Sequence, residues 1–125
     1  MPYLIEVTDA FSAAHQLHGY RGKCERLHGH NWKVTITLSA KKIDKTGLAI
    51  DFTEVKKVLS GILQKLDHTF LNEVPHFQKL NPSSENIARY IYDSACSLIP
   101  KKKVAVKSVA VWESERTRAV YLGDT

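Results

Sequence analysis

Cysteine is scarce in this chain, with Cys24 and Cys96 the only two in 125 residues. A secreted disulfide scaffold of this size carries more, so both are expected as reduced thiols. No apolar run approaches the about 18–20 residues needed to cross a bilayer. The opening Met1-Pro2-Tyr3-Leu4-Ile5-Glu6 lacks a basic segment followed by an apolar stretch, which predicts no secretion signal and a cytoplasmic protein. Repeats, low-complexity tracts and linkers are missing, and proline and glycine stand singly at apparent turns. Basic and aromatic residues do not interleave, so the net charge of +5 lacks the footprint of a nucleic-acid surface. The one dense basic run, Lys101-Lys102-Lys103 after Pro100, reads as a solvated loop. What is present is ordinary for a folded protein: 43% apolar and 25% charged residues, enough for one domain over 1–125.

Residues 3–15 alternate, with Tyr3, Ile5, Val7, Phe11 and Ala13 on one parity, which predicts a strand with one buried face. Residues 16–27 are rich in glycine and charge and read as a loop. Residues 28–40 alternate again, with Trp32, Val34, Ile36 and Leu38 facing one way. The spacing then turns helical over 54–66, with Val55, Val58, Leu59, Ile62, Leu63 and Leu66 in one stripe and Thr53 as the cap. A second helix starts at Ser83, buries Ile87, Ile91, Ala95, Leu98 and Ile99, and stops at Pro100. Two strands follow, over 103–113 and 117–122. The order β-β-α-α-β-β predicts an α+β fold, a four-stranded antiparallel sheet with both helices on one face. The other sheet face is left wet or used for oligomerisation.

Histidines carry the first sign of chemistry. His28-Gly29-His30 places two imidazoles on the same face of an extended chain. Gly29 between them allows the backbone to bend or pack closely. If the first two strands form a hairpin, His15 lies opposite the start of the second, and three imidazoles converge. Three neutral nitrogens at about 2.0–2.1 Å suit Zn²⁺ with a fourth position open, the mark of a catalytic metal. Two other readings stand beside this one. The histidines can be ordinary polar residues at a strand edge, or Cys24 can complete a closed structural Cys-His₃ site that unfolds on chelation. His18 and His76 read as surface or loop residues.

Cys24, four residues before His28, is a candidate base or nucleophile if metal and basic groups lower its pKa. Asp67-His68, at the end of the first helix, is a candidate proton relay, provided the helix has ended there. His68 can instead simply favour a helix C-terminus. Glu113, at a strand end, can hold an amidine-like N–H edge through two hydrogen bonds, or be an exposed charge.

Together these segments resemble the 6-pyruvoyltetrahydropterin synthase family. Cys24-Glu25-Arg26-Leu27-His28-Gly29-His30 is similar to its C-x-x-x-H-G-H motif, and Phe11-Ser12-Ala13-Ala14-His15 to its F-x-A-A-H. Leu66-Asp67-His68 resembles its L-D-H. Asn81-Pro82-Ser83-Ser84-Glu85 resembles its N-P-T-S-E with Ser83 for Thr, and Glu113 falls at its pterin-anchoring glutamate. The matches keep the family's order across nearly the whole chain. The resemblance implies the tunnelling fold, a homohexamer of two trimers with inter-subunit active sites, and a dihydropterin triphosphate substrate. It implies zinc on His15, His28 and His30, Cys24 as base, His68 as relay with Asp67 as partner, and Glu113 as pterin anchor. Glu85 and Ser84 would line the pterin pocket. The three-residue gap between Cys24 and His28 and the short chain look more like the branch that makes 6-carboxy-5,6,7,8-tetrahydropterin for queuosine than the pyruvoyl branch. Cys24 argues against a folate-related branch that carries Glu there. A small zinc-stabilised basic binding module is the reading from a different class.

Overall fold

The computed structural model describes residues 2–19 and 25–123. Strands β1 (Tyr3–His15) and β2 (His28–Ala40) run where the alternation places them. They pair antiparallel, with Phe11 opposite Trp32, Ala13 opposite His30 and His15 opposite His28. Helix α1 (Phe52–Gln64) follows, then a two-residue strand β3 (Thr69–Phe70), two single 3₁₀ turns over Leu71–Glu73 and Pro75–Phe77, and helix α2 (Ser84–Leu98). Strands β4 (Val104–Ser114) and β5 (Thr117–Tyr121) complete the described chain.

The fold is α+β, but the sheet differs from the four antiparallel strands expected. It has five, ordered β3-β1-β2-β4-β5, and β3 runs parallel to β1. β3 escapes a sequence reading because two residues show no period. It exists because the chain turns at His68, whose main-chain N–H donates to the Ser12 carbonyl (2.6 Å).

One sheet face is apolar. Phe11, Trp32, Val34, Ile36, Leu38, Val109 and Val111 join Val55, Leu59, Ile62 and Leu63 of α1 and Ile87, Ala88, Ile91 and Ala95 of α2 in a single buried cluster. Both helices therefore cover the same face. Burial of these side chains, at about 25 cal/mol per Å² of apolar surface, is the main force closing helices onto sheet.

Several details depart from expectation. α1 begins earlier and is capped by Asp51, whose carboxylate accepts from the Thr53 N–H (2.8 Å). The stronger acceptor takes the cap, and Thr53 lies inside the helix. α1 also ends at Gln64, so Leu66 is buried beyond it. Leu98 is exposed, because it falls off the buried stripe that Ala95 and Ile99 continue, while Ser83 caps α2 as expected. Tyr3 is exposed at the outer end of β1. On the second sheet face Thr35, Thr37 and Ser39 are buried too, and the Thr8 and Thr35 hydroxyls bond each other (2.8 Å). The Lys101-Lys102-Lys103 turn is exposed, but the fold sets Lys41 and Lys42 beside it around a cleft of about 550 Å³. Linear sequence could not show that gathering, because Lys42 and Lys101 are 59 positions apart.

Candidate metal centre and adjoining cavity

The β1–β2 register builds the centre. His15 and His28 are directly opposed, and His30 is diagonal to His15, on the face shared by Phe11 and Trp32. The three imidazoles meet edge to face, with ring centroids 4.6–5.2 Å apart. Trp32, fully buried, closes the inner side against His15 and His30, and its indole N–H donates to the Ala13 carbonyl (3.2 Å).

Hydrogen bonds fix which nitrogens hold protons. The Nδ1 of His15 donates to the Pro82 carbonyl (2.7 Å), and that of His28 to the Arg26 carbonyl (2.7 Å). A carbonyl only accepts, so the protons sit on Nδ1 and both Nε2 atoms present lone pairs. Those Nε2 atoms face each other at 3.0 Å. Two opposed lone pairs need a cation or a proton between them. The Nε2 of His30 is buried without a hydrogen-bond partner among the described residues. Burial, the largest influence, lowers the His30 pKa, and His28 and His15 add to the effect while Glu113 opposes it. The approach of His30 Nε2 to Glu113 Oε1 (3.4 Å) is therefore not a full ion pair. Converging imidazoles, two of them held from behind by carbonyls, suit a divalent ion.

His15, His28, His30 and Glu113 each offer an atom within 4.8 Å of the others and could hold a metal ion. Glu113 arrives there through a register shift between Trp112 and Ser114, where one residue of β4 has no partner on β5. Such a bulge re-aims the extra side chain. Strand alternation alone would not locate it. Gly29 is exposed with an ordinary backbone, and a Cβ there would meet only the Ala13 carbonyl at 3.8 Å, so the close packing expected of it is not found.

Glu113 also lines a cavity of about 230 Å³ with Ser84, Glu85, Thr117, Arg118 and Ala119. The structure thus brings the three sequence-predicted pocket residues together and adds Thr117 and Arg118, which the sequence reading missed. Their signal was there, since β5 must pair with the end of β4.

Asp67 and His68 lie outside the four-residue cluster. α1 has ended before them, so the adjacent side chains can meet, and His68 Nδ1 lies 2.9 Å from Asp67 Oδ2. The other carboxylate oxygen accepts from the Ser12 N–H (2.9 Å). That bond, then the one from His68, holds the Asp67 carboxyl below the usual range. A depressed acid stabilises the fold above its unfolded pKa of about 3.8. That contribution drains away as pH falls further, through the folded value. Asp67→Asn is expected to flatten the acid limb of the stability profile below about pH 4, measured by thermal melting from pH 7 to pH 2. His68 itself is 83% exposed. His76 is exposed as expected, its ring against Tyr90 (4.7 Å). Cys24 lies outside the described residues. Cys96 is a free, half-buried thiol whose pKa is raised chiefly by burial.

With this geometry in place, the chain can be compared with known proteins. A family model described as 6-pyruvoyl tetrahydropterin synthase matches residues 4–124. A protein of Archaeoglobus fulgidus, provisionally named a 6-carboxy-5,6,7,8-tetrahydropterin synthase, is 38% identical over 90% of this chain and 89% of its own. The human 6-pyruvoyl tetrahydrobiopterin synthase is 32% identical over 92% of this chain and 88% of its own. The solved Caenorhabditis elegans 6-pyruvoyl tetrahydropterin synthase superposes with a TM-score of 0.86 at 30% identity, covering 98% of this chain and 96% of that one.

Proposed function

The chain belongs to the 6-pyruvoyl tetrahydropterin synthase family and is a lyase-type pterin enzyme, and from that premise we propose that it converts 7,8-dihydroneopterin triphosphate and water to 6-carboxy-5,6,7,8-tetrahydropterin, acetaldehyde and triphosphate. The product would feed queuosine synthesis in the cytoplasm, from one domain spanning 1–125. The observation that carries the metal-dependent reading is the convergence of three imidazoles, two with their Nε2 atoms 3.0 Å apart and the third with its Nε2 buried and unpartnered among the described residues. The carboxy product is supported by the three-residue spacing between Cys24 and His28 and by the Archaeoglobus relative.

His15, His28 and His30 would hold zinc, which when bound polarises a hydroxyl or carbonyl of the substrate side chain. Glu113 would anchor the pterin's amidine-like edge by two hydrogen bonds, at the cavity it shares with Ser84 and Glu85. Cys24 as thiolate would accept a proton. His68 would return one, with Asp67 on its Nδ1 keeping Nε2 toward the substrate. The exposure of His68 and its distance from the cluster support a site completed by a second copy. Among the described residues the sheet has open edges for such assembly: β5 on one side, and β1 before Ala13 on the other. These support a ring-forming tunnelling fold, a hexamer of two trimers.

The test is incubation of zinc-loaded protein with the triphosphate and identification of pterins by mass spectrometry. A carboxytetrahydropterin is expected. A pyruvoyl product would move the chain to the other branch, and unchanged substrate with zinc bound would sink the enzymatic assignment of substrate.

The position of Glu113 favours one further reading, in which it closes the metal site as a fourth ligand. Glu113→Ala separates the two. As anchor, its loss leaves zinc stoichiometric and raises KM by about 100-fold, the equivalent of one charge-assisted pair at about 2–3 kcal/mol. Loss of zinc instead would make it a ligand.

A further inference from the structure

Residues 15–18 leave β1 under three separate restraints. The His15 imidazole donates to the Pro82 carbonyl (2.7 Å). One residue on, the Asn72 side chain accepts from the Gln16 N–H (3.0 Å) and donates to the Gln16 carbonyl (2.8 Å). Two residues further, Asn81 does the same for His18, at 2.8 Å both ways. A carboxamide has the donor–acceptor spacing of a peptide group, so each asparagine pairs with the main chain as a neighbouring strand would. Asn81 directly precedes Pro82, so the clamp on His18 and the acceptor for His15 come from adjacent residues. Asn81 is itself tied down, since its carbonyl accepts from Asn86 Nδ2 (2.9 Å) and Ser83 Oγ accepts from the Asn86 N–H (3.2 Å).

The restraint continues to the second ligand. Gln16 Nε2 donates to the Glu25 carbonyl (2.9 Å), and the Glu25 N–H donates to the Leu17 carbonyl (2.8 Å). The Glu25 carboxylate accepts from the Leu17 N–H (3.3 Å) and stands 3.8 Å from His28 Nδ1. Residues 16–18 thus bond Asn81, which adjoins the Pro82 acceptor of His15, and Glu25, which adjoins the Arg26 acceptor of His28.

We propose that Asn72 and Asn81 are positioning residues of the metal centre. By holding residues 16–18 they set His15 against Pro82 and Glu25 beside His28, and so aim the Nε2 atoms of those two histidines. The inference rests on the metal-binding reading above. Partners behind metal-ligating histidines typically change affinity by about 10–100-fold when removed.

The experiment measures zinc affinity of the full chain by competition with a chromophoric chelator, for wild type, Asn72→Ala, Asn81→Ala and Asn81→Asp. Visible spectra of the cobalt(II)-loaded proteins and melting of the metal-free proteins accompany it. Each alanine variant is expected to bind zinc about 10–100-fold more weakly and to shift the cobalt bands, while the metal-free forms remain folded. Asn81→Asp, which keeps the acceptor and loses the donor, is expected to fall between. Wild-type affinity and an unshifted spectrum in both alanine variants would overturn the proposal. If Asn72→Ala does not fold, Asn81→Ala decides, because its bonds to His18 are solvent-exposed. A wild type that binds no zinc would sink the metal reading and this inference with it. Zinc-binding wild type with unchanged variants sinks this inference alone.

Discussion

Alanine at His30 is expected to abolish stoichiometric zinc binding and turnover while leaving the metal-free fold intact. The His30 Nε2 is buried and without a hydrogen-bond partner among the described residues, so removing it deletes an unsatisfied polar atom from them. Without metal, the change should cost little beyond lost packing against Trp32. With metal, a donor disappears from the centre, and affinity should fall by more than the about 10–100-fold expected for an outer partner. The stability difference follows. Metal at about a thousandfold excess over its Kd stabilises the wild type by about 4 kcal/mol, and His30→Ala loses that increment. Zinc content by emission spectroscopy, with melting before and after chelation, reads both effects. Unfolding of the wild type on chelation would instead mark a structural site.

Cys24→Ala is expected to reduce turnover by about 10²–10⁴-fold, the contribution of a positioned general base, with zinc content and oligomeric state unchanged. The role of Cys24 comes from the family motif, and its neighbour Glu25 is held near His28. Loss of stoichiometric zinc in this variant would show that the thiol is a ligand and that the assigned role is wrong.

How much was legible follows from which forces act locally. β1 and β2 were readable to the residue because their alternation runs for 13 residues each. The same parity put His15, His28 and His30 on one face. Glu113 was found by motif, but its approach to His30 depends on a register shift that alternation cannot express. β3 was invisible because its two residues form a strand only where β1 offers an edge. The cap of α1 was misjudged by two positions, since Thr53 and Asp51 both suit a cap and the tighter acceptor won. Asn72 and Asn81 carried a weak local signal, as asparagine is common in turns. What each amide holds lies 56 and 63 residues away in sequence.

The backbone of His68 has one last consequence. Its φ is +58°, the only positive value among the described non-glycine residues. An L-residue there costs about 1–2 kcal/mol relative to its preferred conformations, and glycine escapes most of that. A heat-resistance selection blind to catalysis would therefore be drawn to glycine at 68. It would yield a hardier protein missing the imidazole beside Asp67. With His68 as the relay proposed above, thermostability and activity would pull in opposite directions at this position.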